Sequence, residues 1–342
     1  MTANKLIRNP LWATLLAALV AAMVSYLVFV SGSEAAPAAD GKYSPYVING
    51  EPVPNGKYPF MAALIDQSRP GTIKDKLFCG CSLIDKTHVL TAGHCVFQRG
   101  PGAPPPTKPQ DTLVFVGRTV LNSNQGQVRN VKDIDVHPVF KAAKLAGTFD
   151  YRYDVALLTL SRPVKGIKPI ELATSSQNNL ERPGRHATVA GWGDTVPNDN
   201  KLTIPNRMQE AQVPIVSDSR ADKAWEKNQG TSQPTDFVPR LMIGAGGKQT
   251  ITCQGDSGGP LFVRTSGNGD GDNGDDENSP NTNGGSGGKY TQIGITSFGP
   301  VGCLTFSKIA VYTEVNAKPI ASFIERTADN GDGDNGDDDN GN

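Results

Sequence analysis

The chain has 342 residues, of which 37% are apolar, enough for a packed core, and its 38 glycines and 25 prolines argue against a helical bundle and for many short strands joined by turns. The formal net charge is −1, so nothing in the total points to nucleic acid. That total conceals an asymmetry, because eleven acidic residues sit in two stretches, 268–277 and 329–339, that hold no Lys or Arg, leaving a basic body.

Residues 1–30 carry Lys5 and Arg8, then a mostly apolar run from Leu11 to Val30, followed by small residues that include Ser33 and Ala35. This is the order of an export signal, and the run also reaches the length of a bilayer span, so a cleaved signal and an uncleaved anchor are both consistent with it. Either one places the rest of the chain outside the cytoplasm, where disulfides form. There are five cysteines, Cys79, Cys81, Cys95, Cys253 and Cys303, so at least one is free or paired with another chain.

Residues 31–46 are small, polar and Pro-containing without apolar periodicity, and read as a flexible pro-segment. Short strands are expected at Tyr58–Ile65, Phe78–Ile84, Val89–Ala92, Leu113–Gly117, Val131–Val136 and Val155–Leu160, with a proline-rich loop over Gly100–Pro109. After a turn at Arg162-Pro163, further strands are expected at Ala187–Gly193, Met208–Ile215, Pro260–Val263, Tyr290–Phe298 and Ala310–Val315. Only 317–327 reads as a helix, with Pro319 in its first turn and Ile320, Phe323 and Ile324 on one face. Many short strands in two halves suggest sandwiches or barrels. Two segments fall outside this pattern, an acidic Gly/Asp/Asn/Ser insertion at 266–288 and an acidic tail at 328–342, which share the nine-residue string that starts at Asn268 and again at Asn330. Neither tract has the ligand order of a calcium loop, so both read as solubilising low-complexity segments.

Candidate chemistry centres on Thr252-Cys253-Gln254-Gly255-Asp256-Ser257-Gly258-Gly259-Pro260. Small neighbours leave the Ser257 hydroxyl open, and glycines let backbone N–H groups turn toward one point, as an oxyanion hole requires. A serine nucleophile needs a base, usually a histidine held by a carboxylate. Of the four histidines, His88, His137 and His186 sit in contexts that read as surface positions, whereas His94 lies among small residues in Thr91-Ala92-Gly93-His94-Cys95. Asp154 directly precedes the apolar run Val155–Leu160, where a carboxylate is costly unless strongly hydrogen-bonded.

Val47-Ile48-Asn49-Gly50, Cys79-Gly80-Cys81-Ser82-Leu83-Ile84, Thr91–Cys95, Asp154-Val155-Ala156-Leu157-Leu158, Gly191-Trp192-Gly193 and Gly255–Pro260 together resemble, in order, the signatures of the chymotrypsin/trypsin family of serine endopeptidases. The resemblance spans about 47–327 apart from the insertion, and the order His, Asp, Ser is that family's. It implies an all-β fold of two antiparallel Greek-key barrels, one at about 47–160 and one at about 161–315, with a C-terminal helix. It further implies Ser257 as nucleophile, His94 as general base and acid, Asp154 as orienting carboxylate, and the N–H groups of Gly255 and Ser257 as oxyanion hole. Disulfides Cys79–Cys95 and Cys253–Cys303 follow from the same resemblance, leaving Cys81, which stands where the family usually has glycine, as a small buried thiol. The family matures by cleavage, and here a new amine at Val47 would pair with Asp256 after a cut behind Tyr46, which departs from the usual Arg or Lys.

The substrate pocket implied by the resemblance is made by Ile251, Thr252, Ser297, Phe298, Gly299 and Ala310. Trypsin-like members carry an aspartate where this chain has Ile251, and a charged Lys against Ile251 would be unfavourable. Cleavage after apolar or aromatic residues is therefore expected, and because Tyr46 fits such a pocket, so is self-activation. The implied partners are protein or peptide substrates and protein inhibitors, with no nucleic acid, no cofactor and no metal, and with membrane contact only through an uncleaved N-terminal segment. The alternative is a catalytically silent relative serving as a binding scaffold, which would be marked by a lost triad residue.

Overall fold

The computed structural model describes residues 50–97, 107–146, 150–196, 202–226, 237–247, 252–265, 289–300 and 309–332, all within one compact unit, Ser44–Asn342. After β1 (Glu51–Pro52) come β2 (Met61–Asp66), β3 (Leu77–Leu83), β4 (His88–Thr91), β5 (Thr112–Val116), β6 (Gln127–Val136) and β7 (Ala156–Leu160). The six strands β2 to β7 close into an antiparallel barrel in the order β2-β3-β4-β7-β6-β5. Successive side chains point to opposite faces, and both faces of β2, β3, β4 and β7 are buried, so these strands carry nearly continuous apolar runs, whereas β6 is mostly exposed. Ala62 and Leu64 of β2 and Ala156, Leu158 and Leu160 of β7 fill one buried cluster, while Met61, Ala63 and Ile65 join a second and Leu157 a third.

The second sheet comprises β8 (Glu171–Leu172), β9 (His186–Gly191), β10 (Gln209–Pro214), β11 (Met242–Ala245), β12 (Pro260–Thr265), β13 (Lys289–Phe298) and β14 (Ala310–Glu314), together with β1. Its order is β1-β10-β9-β12-β13-β14-β11, with β8 parallel to β13. The sheet curls until the chain just beyond β10 meets β11 through an Ile215–Ala245 bridge, giving the second half of the double-barrel fold. Val189, Val213, Ile243, Leu261, Ile293 and Ile295 fill its interior.

The expectation of a single helix is corrected. Besides α5 (Lys318–Asp332) there are α1 (Ile73–Lys76), α2 (Gly93–Val96), α3 (Pro138–Leu145) and α4 (Asp218–Glu226). In α3 and α4 only one pair at i, i+4 spacing is buried, Phe140 with Lys144 and Ala221 with Trp225, a period too short to stand out in sequence. Helix α5 buries Ile320, Phe323 and Ile324 against the core, as their spacing predicts, and runs five residues beyond Thr327 into the stretch read as tail.

Candidate active site

Asp154 enters the core directly after Tyr153, whose backbone is left-handed at φ 59°, a conformation costly for a side chain of this size. The Tyr153 ring stacks on His137 at 4.7 Å, which holds this turn in place. Asp154 is fully buried, and its carboxylate takes both donors of one residue: the His94 N–H bonds Oδ1 and the His94 Nδ1–H bonds Oδ2, each at 2.7 Å. Ser297 Oγ donates to Oδ2 at 2.5 Å, and Thr313 Oγ1 donates to the Asp154 carbonyl at 3.0 Å. Burial alone would raise this carboxyl, but attraction to His94 and the bonds from His94 and Ser297 outweigh it and hold the group below the ordinary carboxylate range. His94 lies in α2, where a side chain at Gly93 would stand 2.9 Å from the Phe140 ring and 3.3 Å from Asp154 Oδ1, so glycine permits this close approach. The ring of Tyr151 flanks His94 at 5.8 Å.

Ser257 and His94 are fixed to the same short stretch of β3. The Gly80 N–H donates to the Ser257 carbonyl at 2.8 Å, and the neighbouring Cys79 forms a disulfide with Cys95, next to His94. Gly258 is left-handed at φ 79°, and a Cβ there would fall 2.1 Å from Thr91 Oγ1 and 2.5 Å from the Gly80 carbonyl. Gly255 is likewise left-handed, at φ 98°. In this turn the Asp256 N–H bonds Cys253 O and the Gly258 N–H bonds Thr296 O. Among the described residues the N–H groups of Gly255 and Ser257 and the Ser257 hydroxyl have no hydrogen-bond partner. Two free N–H groups flanking a free hydroxyl can stabilise a developing oxyanion.

Asp256 is 3% exposed. Its Oδ1 accepts from the Gly193 N–H at 2.8 Å and its Oδ2 from the Cys253 N–H at 3.0 Å. A side chain at Gly191 or Gly193 would come within 2.3 Å of this carboxylate, which explains the glycines on both sides of Trp192. Burial, aided by the negative charge of Asp194, pushes Asp256 up to about 6 despite the two backbone bonds.

On the pocket side, Thr252, Ser297 and Ala310 are buried and Gly299 is exposed. A Cβ at Gly299 would meet Ala310 Cβ at 3.9 Å, so these two residues are close neighbours. Phe298 packs against Tyr151 at 5.5 Å and Trp225 at 4.8 Å. Ile251, Val47, Cys303 and the cut at Tyr46 lie outside the described residues. Cys253 is disulfide-bonded, and Cys81 is a buried free thiol.

Two histidines read as surface positions are buried instead. His88 is fully buried at the start of β4 with Nδ1 2.8 Å from Asp85 Oδ2, its polar neighbours having disguised a core position. His137 is 5% exposed beneath Tyr153, while His186 is exposed. Ser297, read only as pocket wall, also bonds Asp154, and Tyr151 was not singled out. An aromatic three residues before a buried aspartate was the available signal for Tyr151. Ligand atoms of Cys79, His94 and Cys95 lie within 4.8 Å of one another, a spacing compatible with a metal, but the two sulfurs are bonded together and supply no thiolate.

The family model described as Trypsin matches residues 47–324. Trypsin of Saccharopolyspora erythraea is 31% identical to this chain over 273 residues, covering 79% of this chain and 94% of that protein. A trypsin-like protease of Streptomyces glaucescens is 33% identical over 293 residues, covering 84% of each.

Proposed function

Because the chain belongs to the trypsin family of serine endopeptidases, we propose that it cleaves peptide bonds with Ser257 as nucleophile, His94 as general base and then acid, and Asp154 as the carboxylate that fixes the imidazole. The observation that carries this reading is the bond from His94 Nδ1 to the fully buried Asp154, 2.7 Å long, beside a loop whose Gly255 and Ser257 N–H groups are open among the described residues. With Nδ1 committed to Asp154, Nε2 is the nitrogen that takes a proton from Ser257. The Ser257 hydroxyl and His94 close on one another when substrate fills the site, since catalytic hydrogen bonds of free enzymes are commonly long. The oxyanion of the tetrahedral intermediate formed by attack of Ser257 on the scissile carbonyl then sits between the two open N–H groups, before collapse to the acyl-enzyme expels the amine protonated by His94.

The chain is made as a secreted zymogen. A buried acid whose carboxyl is pushed up to about 6 gains from a cation, and an amine freed at Val47 supplies one, ordering the Gly255–Ser257 turn beside it. Ile251, Gly299 and Ala310 then favour apolar or aromatic residues before the cut, Tyr46 among them. No helix among the described residues is long and apolar enough to cross a membrane. The presence of His94, Asp154 and Ser257 at the three motif positions supports this reading over the silent scaffold.

Incubation of the processed protein with a serine-reactive aryl phosphonate, followed by peptide mass mapping, tests it. One adduct on Ser257, absent from Ser257→Ala and from His94→Ala, is expected. An unlabelled Ser257 in the processed chain would overturn the enzymatic role assigned to it.

A further inference from the structure

Lys144, in the last turn of α3, is the one buried lysine among the described residues, at 4% exposure. Among those residues it forms no ion pair, and Asp150, whose charge it feels, is bonded through both oxygens by Arg152 at 2.6–3.1 Å. The ammonium lies over two rings instead, 3.9 Å from the centroid of Tyr151 and 5.0 Å from that of Phe140. Both rings border the catalytic pair. Phe140 is fully buried against Gly93, where an added Cβ would stand 2.9 Å from the ring and 3.3 Å from Asp154 Oδ1. Tyr151 meets the His94 ring at 5.8 Å and Phe298 of the second barrel at 5.5 Å.

A buried ammonium is costly. Burial pulls Lys144 below the ordinary lysine range, and attraction to Asp154 and then Asp150 offsets only part of that. A methionine would fill the same space without the cost, so packing alone does not account for the charge. Ring faces attract a cation, which ties Tyr151 and Phe140 to one point and holds Tyr151 beside the imidazole. The charge also bears on His94, which becomes a cation when it takes the Ser257 proton. A second cation behind the Tyr151 ring opposes that form, since buried charges are screened far less than exposed ones. The groups facing His94 are few: Asp154 and Tyr151 from the turn before β7, Lys144 behind Tyr151 from α3, and Ser297 from β13 through Asp154. Cys95 is held in a disulfide, and Lys141 of α3 is exposed, 5.8 Å over Phe97.

We propose that Lys144 is a positioning residue for His94: it pins the Tyr151 ring beside the imidazole and, by placing a buried cation on that flank, keeps the base unprotonated to lower pH. Asp154 favours the imidazolium and Lys144 opposes it, so the pair sets the acid side of the activity range. This role rests on His94 being the general base, but its test needs no turnover.

Full chains carrying Ser257→Ala, which removes self-digestion, are titrated by NMR, the His94 ring signal being assigned by its loss in His94→Ala. Adding Lys144→Met should move the midpoint of that titration up by about 0.5 pH. Lys144→Arg, whose guanidinium keeps the charge and stacks on the same rings, should restore the parent midpoint. An unmoved midpoint in Lys144→Met overturns the proposal, and so does a rise that Lys144→Arg fails to reverse, which would assign the effect to packing. In processed chains with Ser257 intact, the acid limb of kcat/KM should move with the midpoint. A midpoint that moves in a protein that cleaves nothing supports the role of Lys144 and counts against the catalytic reading. Should Lys144→Met not fold, Lys144→Gln carries the same comparison.

Discussion

Asp154 is buried to a degree that should make its charge costly, and its three side-chain acceptor bonds are what keep it ionised. Since its folded-state value lies below the ordinary one, its contribution to stability is fully present above the unfolded-state value and is lost as pH falls through the folded one. Ser297→Ala removes one charge-assisted bond, and chemical denaturation near neutral pH should show a loss of about 1.5–3 kcal/mol. That difference should shrink in acid, once Asp154 is protonated in the folded state of both proteins. His94 and Asp154 were legible from the small residues around one and the apolar run after the other. The bond from Ser297 was not, because nothing local in Ser297-Phe298-Gly299 reveals that the side chain crosses to a residue 143 positions earlier.

At the scale of elements, the glycines around Ser257 divide into those set by space and those set by backbone alone. Gly258 is left-handed and lies against Thr91 and the Gly80 carbonyl, whereas Gly184 is left-handed with nothing within 4 Å of an added Cβ. Gly258→Ala should therefore cost about 2–5 kcal/mol, combining strain with overpacking. Gly184→Ala should cost about 1–2 kcal/mol from strain alone. Equal losses in urea denaturation would contradict the packing account. Strands such as β2 and β7 were legible because both of their faces are buried, giving unbroken apolar runs such as Val155–Leu160, whereas β6 is mostly exposed. The short helices were not legible, since α1 buries no side chain and α2 is a single turn of four residues, Gly93–Val96.

On the scale of the whole molecule, the site is assembled at the junction of the two barrels. His94 and Asp154 flank strands of the first, Ser257 lies on the loop that leads into β12 of the second, and Ser297 and Thr313 of the second barrel bond Asp154. The motif order announced both barrels: Gly80 of the first meets the Ser257 loop of the second, and Gly191 and Gly193 make room for Asp256 within the second. The central claim, that Ser257 and His94 act together in peptide hydrolysis, is tested most directly by a peptide library exposed to the processed protein and to its Ser257→Ala and His94→Ala variants. Cleavage after Phe, Tyr or Leu by the parent, falling by about 10⁴-fold or more in each variant, is the predicted result. No cleavage by the processed parent, or turnover undiminished in Ser257→Ala, would contradict it.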